Sequence, residues 1–375
     1  MESFDRLMID FLQRNDIPGA SLAVMKDGRL VYARGFGLAN RDAGRAVEPA
    51  TLFRIASISK PLTSAALLTF VDDEKIRLTD KLLVRLPRNL RPAASESIDP
   101  RLRSVTLAQV LRHAGGWDRE VSFDPMFRGA DGGPPPETAA AIVRSMLTRP
   151  LDFEPGARYA YSNFGYCALG RVIENVAGTT YAAYVRDRVL APLGIGDMRL
   201  GRSLREQKAP REATYYGDGD PGPYGGFRLE VMDSHGGWIA SAPDLLRFAR
   251  MLDYPLRDGV LKADTLRDML ARPPGSLGTA PDGSPAPAYY AFGWQVRPIR
   301  DGKVNAWHIG SLDGTSTLLV HRWDNLAWAV LFNKRRSGGE GSEEYAAMID
   351  EPLHEAAAAV TQWPKDDLFP KYPSN

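Results

Sequence analysis

Residues 290–332 read YAFGWQVRPIRDGKVNAWHIGSLDGTSTLLVHRWDNLAWAVLF. Strand-like runs fall at 290–296, 304–310, 315–321 and 327–332, parted by Asp301-Gly302, Asp313-Gly314 and Asp324-Asn325. β-Branched and aromatic residues favour extended chain, and Asp, Asn and Gly tolerate the positive φ of tight turns. The stretch predicts an antiparallel meander.

Further runs of this kind stand near the other end of the chain. Residues 20–25 and 30–36 are strand-like, and Asp27-Gly28 between them is a hairpin turn signal. Ahead of them Phe4, Leu7, Met8, Phe11 and Leu12 recur at helical spacing, which predicts an amphipathic helix. Residues 57–71 read as a helix that is apolar nearly all round and therefore buried. Helices are expected at 107–113, 138–147, 164–176 and 181–190. Another starts at Ser241, with Pro243 and Asp244 in its first turn, and a last one starts at about Ser342 and is interrupted by Pro352.

Strands at both ends and helices in the middle predict an α+β fold. The simplest closure pairs the N-terminal hairpin with the meander in one antiparallel sheet flanked by the terminal helices. Residues 1–75 and 220–375 would form this sheet lobe, and 76–219 an inserted, mainly helical lobe. Small-molecule sites favour the cleft between such lobes.

The 375 residues are 44% apolar and 25% charged, and Lys plus Arg exceed Asp plus Glu by one. No global field is available to recruit nucleic acid. No run reaches the ~20 apolar residues of a membrane span, so no membrane insertion is expected. The single cysteine, Cys167, excludes an internal disulfide and a multi-thiolate metal site, and its apolar neighbours suit a buried thiol. Neither a metal nor a cofactor is called for. No leader pattern precedes the first helix, so the chain as it stands reads as cytoplasmic, or as periplasmic or secreted if a leader has been removed. Oligomeric state stays open. Pro/Gly-rich stretches at 129–136, 217–226 and 273–287 are long for connections and read either as substrate-shaping loops or as insertions.

Ser57-Ile58-Ser59-Lys60 opens the apolar helix. Residues three apart share a helix face, so the Lys60 amine can reach the Ser57 hydroxyl. A serine needs a base beside it, and a lysine serves once its pKa is lowered. Ser59, adjacent to Lys60, points away. Alone, the pattern equally fits an N-cap serine with a solvated lysine. Tyr161-Ser162-Asn163 precedes another helix. Its phenol is a proton shuttle if nearby cations pull its pKa down, and Asn163 offers a donor and an acceptor. His308-Ile309-Gly310 lies on an expected strand, where His308 and Gly310 face the same way. A glycine there admits another backbone or a substrate, and a backbone N–H near Ser311 would help bind an oxyanion together with that of Ser57.

In order and spacing these three motifs resemble the serine β-lactamase and penicillin-binding protein superfamily, in its class C, DD-peptidase, D-aminopeptidase and family-VIII-type esterase branch. Leu111-Arg112-His113-Ala114-Gly115-Gly116, Pro155-Gly156 and the run from Gly236 through Leu245 match as well, so the likeness covers nearly the whole chain. It implies the β-lactamase/transpeptidase-like fold with the site between its lobes. Ser57 would be the nucleophile, Lys60 its activator and Tyr161 the general base and acid. Asn163 would partner the lysine and substrate, His308 would take the third-motif cationic position beside Gly310, and the N–H groups of Ser57 and Ser311 would form the oxyanion hole. The implied partner is a small ester or amide substrate.

The third motif departs from the Lys-Thr-Gly of the β-lactamases in this branch. Histidine is mostly neutral at pH 7, and Ile309 lacks the hydroxyl of Thr. Both changes weaken recognition of a substrate carboxylate. The expectation is a carboxylesterase-type hydrolase of small esters, with weak β-lactamase activity at most. The alternatives are an amidase or D-amino-acid peptidase, an acyltransferase, or a catalytically idle ligand-binding homologue. His235-Gly236-Gly237 also suggests an α/β-hydrolase oxyanion hole, but that fold needs a Gly-x-Ser-x-Gly elbow that is missing here. Trp117, Trp238 and Trp307 lie beside the motifs and are candidates to line the cleft, with core packing as the default.

Overall fold

Strand β1 (Gly19–Lys26) is buried along all but its last residue. Its small and apolar side chains cover both faces, as an interior strand requires. It turns through Asp27 and Gly28, both at positive φ, into β2 (Arg29–Asn40). The remaining strands are β3 (Arg45–Ala46), β4 (Phe53–Arg54), β5 (Arg199–Leu200), β6 (Trp238–Ala240), β7 (Tyr289–Tyr290), β8 (Gln295–Arg300), β9 (Lys303–Leu312), β10 (Thr315–His321) and β11 (Leu326–Phe332). The structure is a computed structural model and describes residues 1–93, 97–127, 133–134, 136–217, 222–257, 259–336 and 344–374.

One eight-stranded sheet runs β3-β2-β1-β11-β10-β9-β8-β7, and a small one runs β4-β6-β5. The two ends of the chain meet at its centre, where β1 and β11 pair antiparallel from Ala20↔Phe332 to Lys26↔Leu326. Side-chain parity then divides the core. Leu22, Val24, Leu318, Val320, Trp328 and Phe332 face the N-terminal helix (Glu2–Arg14) and the C-terminal helices (Tyr345–Met348, Asp350–Ala358). Ala23, Met25, Leu319, Ala329 and Leu331 join a second cluster that takes in the 59–72 and 242–249 helices and continues into Leu107, Ile142 and Val172. A one-residue slip of β11 would exchange these two sets, so burial on both faces fixes its register.

The helical expectations hold with shifts at their ends. The helix expected at 107–113 spans Leu107–Leu111 behind a Thr106/Gln109 capping box, and stops short because His113 takes a positive φ. Ala139–Leu147 is capped by Thr138, and Ser162 caps Asn163–Ala177, which Gly178 closes in the left-handed conformation. Ser241 caps Ala242–Ala249. The expected strand at 290–296 is divided between β7 and β8, because Gly293 at φ +81° turns the chain against the 59–72 helix, where a Cβ would lie 2.4 Å from Ser64 Oγ. The last helix breaks before Pro352 and not at it. Pro352 sits in the first turn of the second piece, where its missing N–H leaves no gap in the ladder. The expected start at about Ser342 lies outside the described residues.

Candidate active site

The chain enters the site along β4, which pairs with β6 as Phe53↔Ala240 and Arg54↔Ile239. Arg54 is fully buried, its guanidinium over the Tyr215 ring at 4.4 Å and donating to Pro223 O and Arg202 O. Ala56 then takes a φ of +46°, and Ala56–Ile58 form a single 3₁₀ turn ahead of the helix Ser59–Asp72. A non-glycine residue in this conformation costs about 1–3 kcal/mol, which the surroundings must offset. β9 and β10 hold the turn. Thr315 Oγ1 donates to Arg54 O at 2.9 Å and Thr317 Oγ1 to Ile55 O at 3.2 Å, and Gly310 lets Ile55 O come against β9. Of the two readings of Gly310, close approach by another backbone is the one realised at its Cα.

Ser57 Oγ stands 3.1 Å from Lys60 Nζ and accepts the Tyr161 hydroxyl at 2.8 Å. Lys60 Nζ also donates to Asn163 Oδ1 at 2.8 Å and to His235 O at 3.0 Å. Those two oxygens can only accept. A neutral amine has two N–H groups for them and one lone pair left, and that lone pair faces Ser57. The orientation of the Asn163 amide is set by Asp124, whose Oδ2 accepts from Nδ2 at 2.6 Å. Ser59 points elsewhere, its Oγ accepting from Trp238 N at 3.3 Å.

Burial favours the neutral form throughout the cluster. Lys60 is fully buried, and burial followed by the nearby Arg119 charge holds its pKa well below the usual lysine value, with Asp124 opposing. For Tyr161 the sequence-based idea of a phenol lowered by cations needs correction. Burial raises its pKa, outweighing the Ser57 hydrogen bond and Arg119, whose guanidinium lies over the ring at 4.8 Å. Tyr161 is therefore protonated and donates to Ser57.

His308 is also neutral. Burial and then Lys60 lower its pKa to about 3. Its Nδ1 lies 2.7 Å from Ile309 O, so that nitrogen carries the proton, and Nε2 accepts from Tyr290 OH at 3.0 Å. The third-motif position thus carries no cation at neutral pH. Tyr290 packs on the ring of His113 at 4.5 Å, and His113 on Tyr161 at 4.4 Å, so the third motif reaches the second through two buried rings. His113 Nδ1 accepts from Ser162 N at 3.2 Å, which ties it to the Tyr161 loop.

A cavity of about 550 Å³ opens beside Ser57 and Ser311. Its walls include Arg119, Asp124 and Glu344, with Phe127, Met232 and Leu312 as the apolar surface. Ser311 Oγ donates to Glu344 Oε1 at 2.9 Å, and Arg335 Nε to the same oxygen at 3.0 Å. None of the three candidate tryptophans is among the lining residues. Trp117 packs on Phe164, Trp238 on Tyr181, and Trp307 joins the cluster on the other face of the sheet. The 273–287 stretch is tied back by Ser276 Oγ to Ala157 O and by a Thr279–Pro285 bridge, and it contributes nothing to this cavity. Most of 129–136, and 218–221 of the 217–226 stretch, lie outside the described residues; Pro223 and Tyr224 pack around Arg54. Among the described residues no group of three or more His, Cys, Asp or Glu is placed to hold a metal ion.

Asp124, Arg119, Tyr290 and Glu344 escape sequence reasoning, since each sits in irregular chain or on an element far from the motifs. His113 lies inside a segment that carries the family resemblance, whereas His235 stands one residue before another and contributes its backbone carbonyl, which no side-chain pattern reveals.

A serine, a buried lysine and a tyrosine converging where the start of a buried helix packs against β9 and β10 of an antiparallel sheet define the serine β-lactamase and penicillin-binding protein class. The chain belongs to the Beta-lactamase family, whose sequence profile matches residues 4–351. Esterase EstB of Burkholderia gladioli is 31% identical over 248 residues, 64% of this chain and 61% of the esterase. Penicillin-binding protein 4 of Amycolatopsis lactamdurans is 29% identical over 364 residues, 95% of this chain and 89% of that protein. The D-amino acid amidase of Ochrobactrum anthropi SV3, solved with L-phenylalanine amide, shares the fold at a TM-score of 0.74 and 21% identity, over 96% of this chain and 97% of that one. The chain spans about three fifths of the length of the first curated relatives it matches.

Proposed function

We propose that this chain is a serine hydrolase that forms an acyl-enzyme on Ser57 and prefers small carboxylic esters. One observation carries the reading: Ser57 Oγ lies between a buried amine at 3.1 Å, whose pKa burial lowers, and a protonated phenol at 2.8 Å. As Oγ attacks the ester carbonyl, its proton passes to the lone pair of Lys60. The carbonyl oxygen becomes an oxyanion facing the N–H groups of Ser57 and Ser311, both at the cavity wall. Collapse breaks the bond to the leaving alkoxide, which takes the Tyr161 proton, and the proton gained by Lys60 replaces the one that the phenol gave up. Water then attacks the acyl-enzyme, loses a proton to the same pair, and releases the acid and Ser57.

The ester preference rests on the third motif. Neutral His308 with Ile309 offers no fixed cation for a substrate carboxylate, which disfavours β-lactams and peptide C-termini. The likeness to an esterase supports it. Amide hydrolysis is the second reading, because the likeness to a penicillin-binding protein runs over 95% of the chain.

Intact-mass measurement with p-nitrophenyl butyrate, a D-amino-acid amide and nitrocefin tests both. The expected result is an acyl adduct and fast turnover with the ester, absent in Ser57→Ala. Turnover by Ser57→Ala would overturn the nucleophile, and nitrocefin turnover as fast as that of the ester would overturn the preference.

A further inference from the structure

Asp124 lies in irregular chain between the 107–111 and 139–147 helices, at the cavity wall. Two separate interactions hold its carboxylate. Oδ1 accepts from Met126 N at 3.1 Å, within its own turn, and Oδ2 accepts from Asn163 Nδ2 at 2.6 Å. A carboxylate offers no proton to an amide, so this contact decides which end of the Asn163 side chain faces Lys60. If the amide turned over, its NH₂ would point at the amine, and Lys60 would lose one of the two acceptors that aim its lone pair at Ser57.

We propose that Asp124 is a positioning residue for the acyl-transfer reaction: it locks the Asn163 amide so that Lys60 presents its free valence to Ser57. The inference rests on the reading of Ser57 as nucleophile and adds to it a residue three hydrogen bonds away from the reacting oxygen. Asp124 also acts through space. The titratable and charged groups that face or influence Lys60 are Arg119, Tyr161, Tyr166, His113, His235, His308 and Asp124 itself. Of the two charges that act on it, Asp124 favours the ammonium form and Arg119 disfavours it.

The two roles separate in two variants. Asp124→Asn retains an oxygen for Asn163 Nδ2 but loses the charge. Its kcat on p-nitrophenyl butyrate stays within about threefold of wild type, while the acid limb of kcat/KM moves to lower pH, because the amine is now harder to protonate. Asp124→Ala loses both. Its kcat falls by roughly 100-fold, the cost of a misplaced catalytic group, with KM within about twofold and the same shift of the acid limb. Wild-type kcat and an unmoved acid limb in both variants would overturn the proposal, as would a loss confined to KM. If Asp124→Ala fails to fold, Asp124→Leu, which fills the space but offers no acceptor to Asn163 Nδ2, takes its place, and wild-type kcat there overturns the positioning role. Ser57→Ala run alongside keeps the two claims apart: residual turnover there refutes the nucleophile, whereas a dead Ser57→Ala beside wild-type Asp124 variants refutes only the positioning role.

Discussion

The carbonyl oxygen of Ile55 occupies the space that a side chain at position 310 would need, since a Cβ built on Gly310 would lie 2.1 Å from it. The third motif therefore supports the turn that carries Ser57 directly through its backbone. Gly310→Ala must push β9 away from the strained residue Ala56. The expected cost is about 1–3 kcal/mol of stability, as for overpacking elsewhere, with a loss of kcat larger than the loss of binding. Urea denaturation together with kcat and KM on one ester checks this. Unchanged stability would show that the clamp is not needed.

Tyr161→Phe removes the proton donor and leaves the ring packed on His113. A general acid contributes roughly 10²–10⁴-fold where the leaving group needs a proton. The loss should be large for an ethyl ester and much smaller for a p-nitrophenyl ester, whose phenolate departs unaided. Equal losses on both substrates would count against Tyr161 as the acid.

Arg119→Gln acts on Lys60 in the sense opposite to the Asp124 variants. Its charge is the second cause, after burial, of the lowered amine pKa, and removing it lets Lys60 hold its proton to higher pH. The acid limb of kcat/KM should therefore move upward. A downward or absent shift in a pH–rate profile would refute this account of the local field.

His308 supplies a pH dependence of folding. Its pKa is about 3 in the folded chain, against an ordinary value of 6.5, because burial disfavours the charged imidazole. Between those values the unfolded chain binds the proton and the folded chain does not, so stability is complete above about pH 6.5 and is lost as the pH falls toward 3. His308→Gln, which keeps an acceptor for Tyr290, should lose less Tm than wild type on going from about pH 7 to about pH 4.5. His113, His235 and His354 are lowered in the same sense and leave a residual slope in the variant. Parallel melting curves for the two proteins would disprove the contribution of His308.

Much of the fold was legible because burial writes itself into local pattern. Thr315–His321 was readable to the residue, since a fully buried strand between two turn pairs has few other ways to fold. The 290–296 segment was not, because Gly293 answers to Ser64 on a distant helix rather than to its neighbours in the chain. Of the site, Ser57 and Lys60 were legible through their i,i+3 spacing, and Tyr161, Asn163 and His308 through motif order. Asp124 left no trace, since a single carboxylate in irregular chain has no periodicity.

The sequence by itself determined which groups could do the chemistry: a serine three residues before a lysine, a tyrosine two before an asparagine, and a histidine where related enzymes carry lysine. Only the tertiary structure decided their protonation. Spacing says nothing about how much water a side chain keeps, and it is the loss of that water that shifts Lys60 toward its neutral form, keeps Tyr161 protonated and leaves His308 uncharged.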